Sequence, residues 1–287
     1  MLEQLIPSLV DGLLIGFVYG VAAMGLTLIW GVMRVINLAH GPIIALGMFG
    51  VYVLFNDGLG LNPYVSLPIV GAAGVLFGIV IYSIAVHRVI NAPHLSSLLA
   101  TFAVSMIIIG VGTSRLTTNV YTVGLDLGSV TIGPITVTVT RLVAAGVSVF
   151  VAAGLYLFLY RTSTGKAIRA VANNRSAAEL MGIPSSRVLA LSFGLGTMLA
   201  VIAGGLISTI FPFRILSGGA YELKSFVIGV LGGLGNPLGA LVGGLILGGL
   251  EGLIPVFMPT TWVPVFEFGL FVLILLVRPS GLFGARQ

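Results

Sequence analysis

The sequence predicts an all-α polytopic membrane protein, and three observations carry that prediction. Of 287 residues, 57% are hydrophobic and 7% charged, with a mean hydropathy of +1.17; soluble domains carry about 25% charged residues. The apolar residues fall into runs of about 20, the length that crosses a hydrocarbon layer as a helix. The basic residues concentrate in one polar stretch, 161–188.

Eight runs qualify as spans: 8–33, 36–56, 64–87, 95–114, 141–160, 189–211, 236–257 and 262–278. The first lacks a basic leader and a small-residue cleavage site and is too long for a signal peptide, so it counts as a span. Residues 223–234 are apolar but too short to cross, which predicts a half-helix. Between the fourth and fifth runs, 115–140 carries the alternating TVGLDLGSVTIGPITVTVT. That β-prone, glycine-punctuated pattern predicts a small hairpin outside the membrane. The whole chain, 1–287, reads as one transmembrane domain.

Sidedness follows from Lys and Arg, which are retained on the cytoplasmic side near span ends. Placing 161–188 inside puts 115–140 outside, 87–93 inside and the N-terminus outside. Arg34 and Arg88 then fall on the cytoplasmic side, whereas Arg115 and Arg141 fall outside. Arg278 and Arg286 point to a cytoplasmic C-terminus, which the run count alone does not deliver.

The stretch 161–188 holds Arg161, Lys166, Arg169, Arg175 and Arg187 against one acid, Glu179. Ser176-Ala177-Ala178-Glu179 fits a capping box, with Ser176 taking the Glu179 amide and Glu179 reaching back. Gly182 supplies the C-terminal stop, and Pro184 prevents the helix from resuming. Nothing in lipid needs a short capped surface helix between two spans. It reads as a docking element.

Two breaks interrupt the helical pattern. The first runs through Asn37, His40, Gly41 and Pro42; the second through Gly232, Gly233, Gly235 and Asn236 to Pro237. Both lead into glycine-rich apolar helices. Gly/Pro-interrupted segments in corresponding halves point to internal inverted repeats lining a translocation pathway. The competing reading is that the glycines only permit close helix packing. Glu251 and Glu267 sit inside apolar runs, where a lone carboxylate is costly, so each is expected to pair with a neighbouring helix or subunit. His40 has no second His or carboxylate at ligand spacing, so it reads as a helix-end hydrogen-bonding residue, and no metal site is expected.

Enzymatic readings fare badly. Thr164-Gly165-Lys166 resembles the end of a phosphate loop, but Tyr160 stands where the first glycine belongs. There is no HExxH, GxSxG or paired-acid constellation, and no catalytic residue is assigned. Zero cysteines exclude disulfides and thiolate metal sites. The net charge of +5 belongs to cytoplasmic loops; no basic patch is interleaved with stacking aromatics, so no nucleic-acid partner is expected. A pathway-like core with a docking helix and no energy source calls for a partner ATPase.

These residues resemble the branched-chain amino acid permeases of bacterial ABC importers, and the resemblance runs end to end. Its carriers are Gly16 through Leu26 (GFVYGVAAMGL), Ile36 through Gly41, Gly165 through Ala170 (GKAIRA), Gly182-Ile183, Lys224-Ser225-Phe226, Val230 through Ala240, and Arg278 through Gly284. The resemblance implies an inner-membrane permease that delivers Leu, Ile or Val handed over by a periplasmic binding protein. Its implied partners are a related second permease subunit, two cytoplasmic ATPases that bind the ATP, and lipid; the chain itself would hold no cofactor. Arg175, Ser176, Ala177, Ala178, Glu179, Leu180, Met181, Gly182 and Ile183 would form the ATPase-coupling element, which departs from the usual Glu-Ala-Ala order. Asn37, His40, Gly41, Pro42, Gly232, Gly233, Gly235 and Asn236 would line the pathway. Two alternatives stay open: the same machinery carrying urea or short amides, and an ion-coupled secondary transporter, against which 161–188 speaks.

Overall fold

The computed structural model describes residues 2–284 apart from 117 and 134. Helix α1 (Leu2–Met33) leads into an irregular segment, 34–39, and then α2 (His40–Tyr52), which continues as a π-helical turn to Asp57. Next come α3 (Pro63–Ile81), extended by a π turn to Val86, and α4 (His94–Leu116). Strands β1 (Ser129–Ile132) and β2 (Ile135–Thr138) pair antiparallel, Ser129 opposite Thr138. Helix α5 (Val139–Arg161) then leads to two short helices, α6 (Ser163–Asn173) and α7 (Arg175–Leu180). The chain closes with α8 (Ser185–Ser208), α9 (Gly218–Gly232), α10 (Pro237–Phe257) and α11 (Val263–Val277). Among the described residues, seven helices are long and apolar enough to cross a membrane, and His40–Asn56 is a shorter apolar one.

The run 36–56 does not cross as one helix. Arg34 adopts φ 55° and turns the chain back at the end of α1. The returning segment climbs beside α1, and the His40 Nε2 lies 2.9 Å from the carbonyl oxygen of Ala22. Ala22 stands eleven residues before Met33, about 16 Å along the axis at ~1.5 Å per residue. Helix α2 therefore starts near mid-depth and runs to the far side. The half-helix expected at 223–234 begins five residues earlier, at Gly218. Its first residue packs directly on the Gly41 backbone, so α9 also starts near mid-depth and runs the opposite way.

This arrangement reveals the repeat. Helices α1 to α4 and α8 to α11 follow the same plan in opposite directions: a long helix, a returning segment, a half-helix and two further spans. Helix α3 packs on α8 as α10 packs on α1, and α1 meets α8 at the centre. These two are the most enclosed spans, while α4 and α11 are largely exposed. The break equivalent to 34–39 is consequently 209–217, not 232–239. Along the α1–α10 seam, Gly12 and Gly16 face Gly244, Gly248 and Gly252; a Cβ at Gly16 would stand 2.6 Å from the Gly244 oxygen. Here the close-packing role of glycine holds.

Arg34, Arg88, Arg161, Lys166, Arg169, Arg175, Arg187 and Arg278 gather at one end of the bundle, against Arg115, Arg141 and Arg214 at the other. The first end is therefore cytoplasmic. Arg141 is held outside by a 2.5 Å ion pair with Asp11. The half-helix α9 supplies the one crossing that the run count lacked, and the C-terminal segment returns to the cytoplasmic end, where Leu282 N–H donates to the Leu231 oxygen. Arg286 lies outside the described residues.

Candidate functional site

The cytoplasmic surface is built on α6. Thr162 caps it by accepting the Gly165 N–H, so Thr164-Gly165-Lys166 is a helix start and not a phosphate loop. Ile168 and Val171 bury its apolar side. Arg169 anchors it to α5, donating to the Leu159 oxygen and lying 4.4 Å from the centre of the Tyr160 ring.

Asn174 ends α6 and starts α7. Its Oδ1 accepts the Ala177 N–H, so the N-cap is Asn174 and not Ser176. Ser176 sits inside the first turn, exposed, and the capping box does not form. Glu179 is freed for other partners: Arg175 donates to it at 3.1 Å, and the Ser185 hydroxyl donates to the same carboxylate. Those bonds, Ser185 first and then Arg175, hold the Glu179 carboxyl below its ordinary value. Arg175 also reaches Asn91 in the α3–α4 loop. Gly182 has φ +80°, and the Ile183 N–H donates to Ala178 while the Gly182 N–H donates to Glu179. This closes the helix in a Schellman motif. Ala178 is buried, Ala177 is exposed and Ile183 is partly covered. Leu180 and Met181 stand 89% and 83% exposed at the tip.

The second locus is the joint where α2 and α9 begin. Asn37 Oδ1 accepts the Ala39 N–H, and Asn37 O accepts the His40 N–H. Thr101 of α4 accepts the Leu38 N–H and donates to the Ile36 oxygen, which ties the returning segment to α4. Asn37 and His40 are fully buried; Asn37 Nδ2 and His40 Nδ1 have no partner among the described residues. Gly41 lies on Gly218, and Pro42 occupies a first-turn position where its missing N–H costs nothing. The matching segment 209–217 is fixed from outside: Tyr121 and Phe213 exchange backbone hydrogen bonds of 2.8 and 2.9 Å. Phe49 and Tyr52 pack edge-on against that pair.

Gly232, Gly233, Gly235 and Asn236 lie elsewhere, at the cytoplasmic turn between α9 and α10. Gly233 and Gly235 take φ +100° and +90°, Asn236 caps α10 through the Gly239 N–H, and its Nδ2 donates to the Phe283 oxygen. Gly235 and Asn236 border a cleft of about 340 Å³ with Gly31, Tyr160 and Arg169.

Glu251 and Glu267 converge on one cation that the sequence had not paired with them. Lys224 Nζ is 2.7 Å from Glu251 and 3.6 Å from Glu267, and lies 4.7 Å from the centre of the Tyr19 ring. The Tyr19 hydroxyl donates to Glu251 at 3.4 Å. The expected helix-to-helix pairing therefore joins α1, α9, α10 and α11.

Spans in two inverted halves, half-helices meeting at mid-depth and a capped loop presented to the cytoplasm define the transmembrane component of a transport system. The family described as the permease component of branched-chain amino acid transport systems matches residues 8–275. The chain is 29% identical to the high-affinity branched-chain amino acid transport permease LivH of Salmonella typhimurium, over 98% of this chain and 96% of that one. It is 28% identical, with the same coverage, to the corresponding permease BraD of Pseudomonas aeruginosa. The fructose import permease FruG of Bifidobacterium longum is 34% identical over 42% of this chain and 38% of its own. The protein belongs to the branched-chain amino acid transport permease family and is a multi-pass protein of the inner membrane.

Proposed function

We propose that this permease forms one half of a translocation pathway for Leu, Ile and Val, loaded by a periplasmic binding protein and driven by ATPases docked on Arg175–Ile183. A related second permease completes the pathway. The observation that carries the energy-coupling part is the tip of α7. Leu180 and Met181 expose nearly their whole side chains on a helix capped at both ends and tied to Asn91, and apolar side chains so presented mark a contact surface. ATP-driven closure of the ATPases moves α7 as a rigid piece, and Asn91 passes that movement to the α3–α4 loop. The halves then rock about the joint between α2 and α9, opening it outward and inward in turn.

The test is reconstitution in nanodiscs with the partner subunits and binding protein, with ATP hydrolysis read against each ligand. Leu180→Asp with Met181→Asp is expected to abolish leucine-stimulated hydrolysis and ATPase recruitment while the permease pair stays intact. Unchanged stimulation removes α7 from the docking surface. A sugar cargo is the second reading, favoured by the partial match to a fructose permease; stimulation by fructose and not leucine would select it.

A further inference from the structure

We infer that Glu222 reads the ammonium group of the amino acid in transit and so helps determine what the pathway accepts; this rests on the amino acid reading proposed above. Glu222 lies on the second turn of α9, and its carboxylate faces the start of α2. It receives the Gly41 N–H, and a Cβ at Gly41 would stand 2.7 Å from Oε2. Three other acids within the spans each have a cation: Asp11 has Arg141, and Glu251 and Glu267 share Lys224. Among the described residues no Lys, Arg or His pairs with Glu222.

An anion near mid-depth is costly unless it meets a cation, hydrogen bonds or water. One backbone N–H and the positive end of α2 offset part of that cost. They leave most of the carboxylate's acceptor capacity unused. Beside it, Gly219 is exposed one turn earlier on the same side of α9, and Ala220 and Leu223 are exposed around the same turns. First-turn N–H groups there have no helical partner, and backbone so placed is tolerated only against protein or a water-filled cavity. The face next to Glu222 therefore meets the second permease or a water-filled pathway and not lipid, and its unpaired anion suits a small zwitterion's ammonium. Urea and sugars carry no such cation. Gly41 and Gly218 hold the carboxylate at the joint, because a side chain on either would force α2 and α9 apart.

The competing role is a cap on α2, which glutamine preserves because its amide oxygen still accepts the Gly41 N–H. In proteoliposomes holding the complete importer, Glu222→Gln is expected to lower leucine imported per ATP hydrolysed about tenfold, and Glu222→Asp to recover about a third of the wild-type ratio. An unchanged ratio overturns the inference, whether uptake stays normal or uptake and hydrolysis fall together. So does loss of assembly in Glu222→Gln. A wild-type complex indifferent to leucine overturns the amino acid reading itself, and the inference with it.

Discussion

Lys224 shows how single charges organise this bundle. Its ammonium stands between two carboxylates on different helices, so Lys224→Met leaves both without a cation. The expected loss is about 3 kcal/mol, the lower end for removing one partner of a buried pair, because the Lys224 and Glu251 side chains keep 19% and 28% of their exposure. A lowered melting temperature of the detergent-solubilised permease checks this, and adding Glu251→Gln to Lys224→Met should recover part of the loss. The two acids were legible in the sequence as isolated charges in apolar runs. Their partner was not, because Lys224 sits in a helix too short to register as a span. Glu222 gave no signal either, since its meaning depends on a contact with Gly41, 181 positions away in the chain.

At the scale of one element, α7 depends on its ends more than its middle. Asn174→Ala removes the only side-chain cap and should cost the helix about 1 kcal/mol, read as faster amide exchange from Ala177 to Ile183. Gly182→Ala places a Cβ at φ +80° and should loosen the same amides by a similar amount, about 1 kcal/mol. Acid should do so too. The Glu179 carboxyl is held below its ordinary value by Ser185 and Arg175, so its contribution is complete at neutral pH and fades as pH falls through that depressed value. Exchange of α7 followed down the pH scale, with Glu179→Gln as the pH-independent control, checks the sign. The sequence identified the helix and its glycine stop correctly, because Gly182 and Pro184 are strong local signals. It placed the start two residues late: Ser-x-x-Glu matches the capping pattern, but Asn174 stands nearer the α6 terminus and captures the free N–H groups first.

On the scale of the whole molecule, seven of the eight spans and the hairpin were legible because length and alternation are local properties. The pairing of the breaks was not. Asn37 to Pro42 and Gly232 to Pro237 look alike in composition, yet the inverted repeat equates the first with 209–217 and the start of α9, whose Pro212, Arg214 and Gly218-Gly219 follow an apolar run without an asparagine. The geometry makes a spatial prediction that the natural chain is suited to test, since it contains no cysteine. Single cysteines at Leu180 and Leu127 should react with a membrane-impermeant thiol reagent from opposite sides. Leu99 on α4 and Phe150 on α5 are also exposed in the chain, but they lie on spans facing lipid or a neighbouring subunit, so cysteines there should resist it. Ala220 lies as deep as the joint, so lipid exposure would make it equally inert. If the first turn of α9 faces water, Ala220→Cys reacts despite its depth, and its rate changes when ATP traps the importer in one conformation. Inertness at Ala220 in every nucleotide state would move the pathway away from the joint of the half-helices, toward the cleft bordered by Gly235 and Asn236.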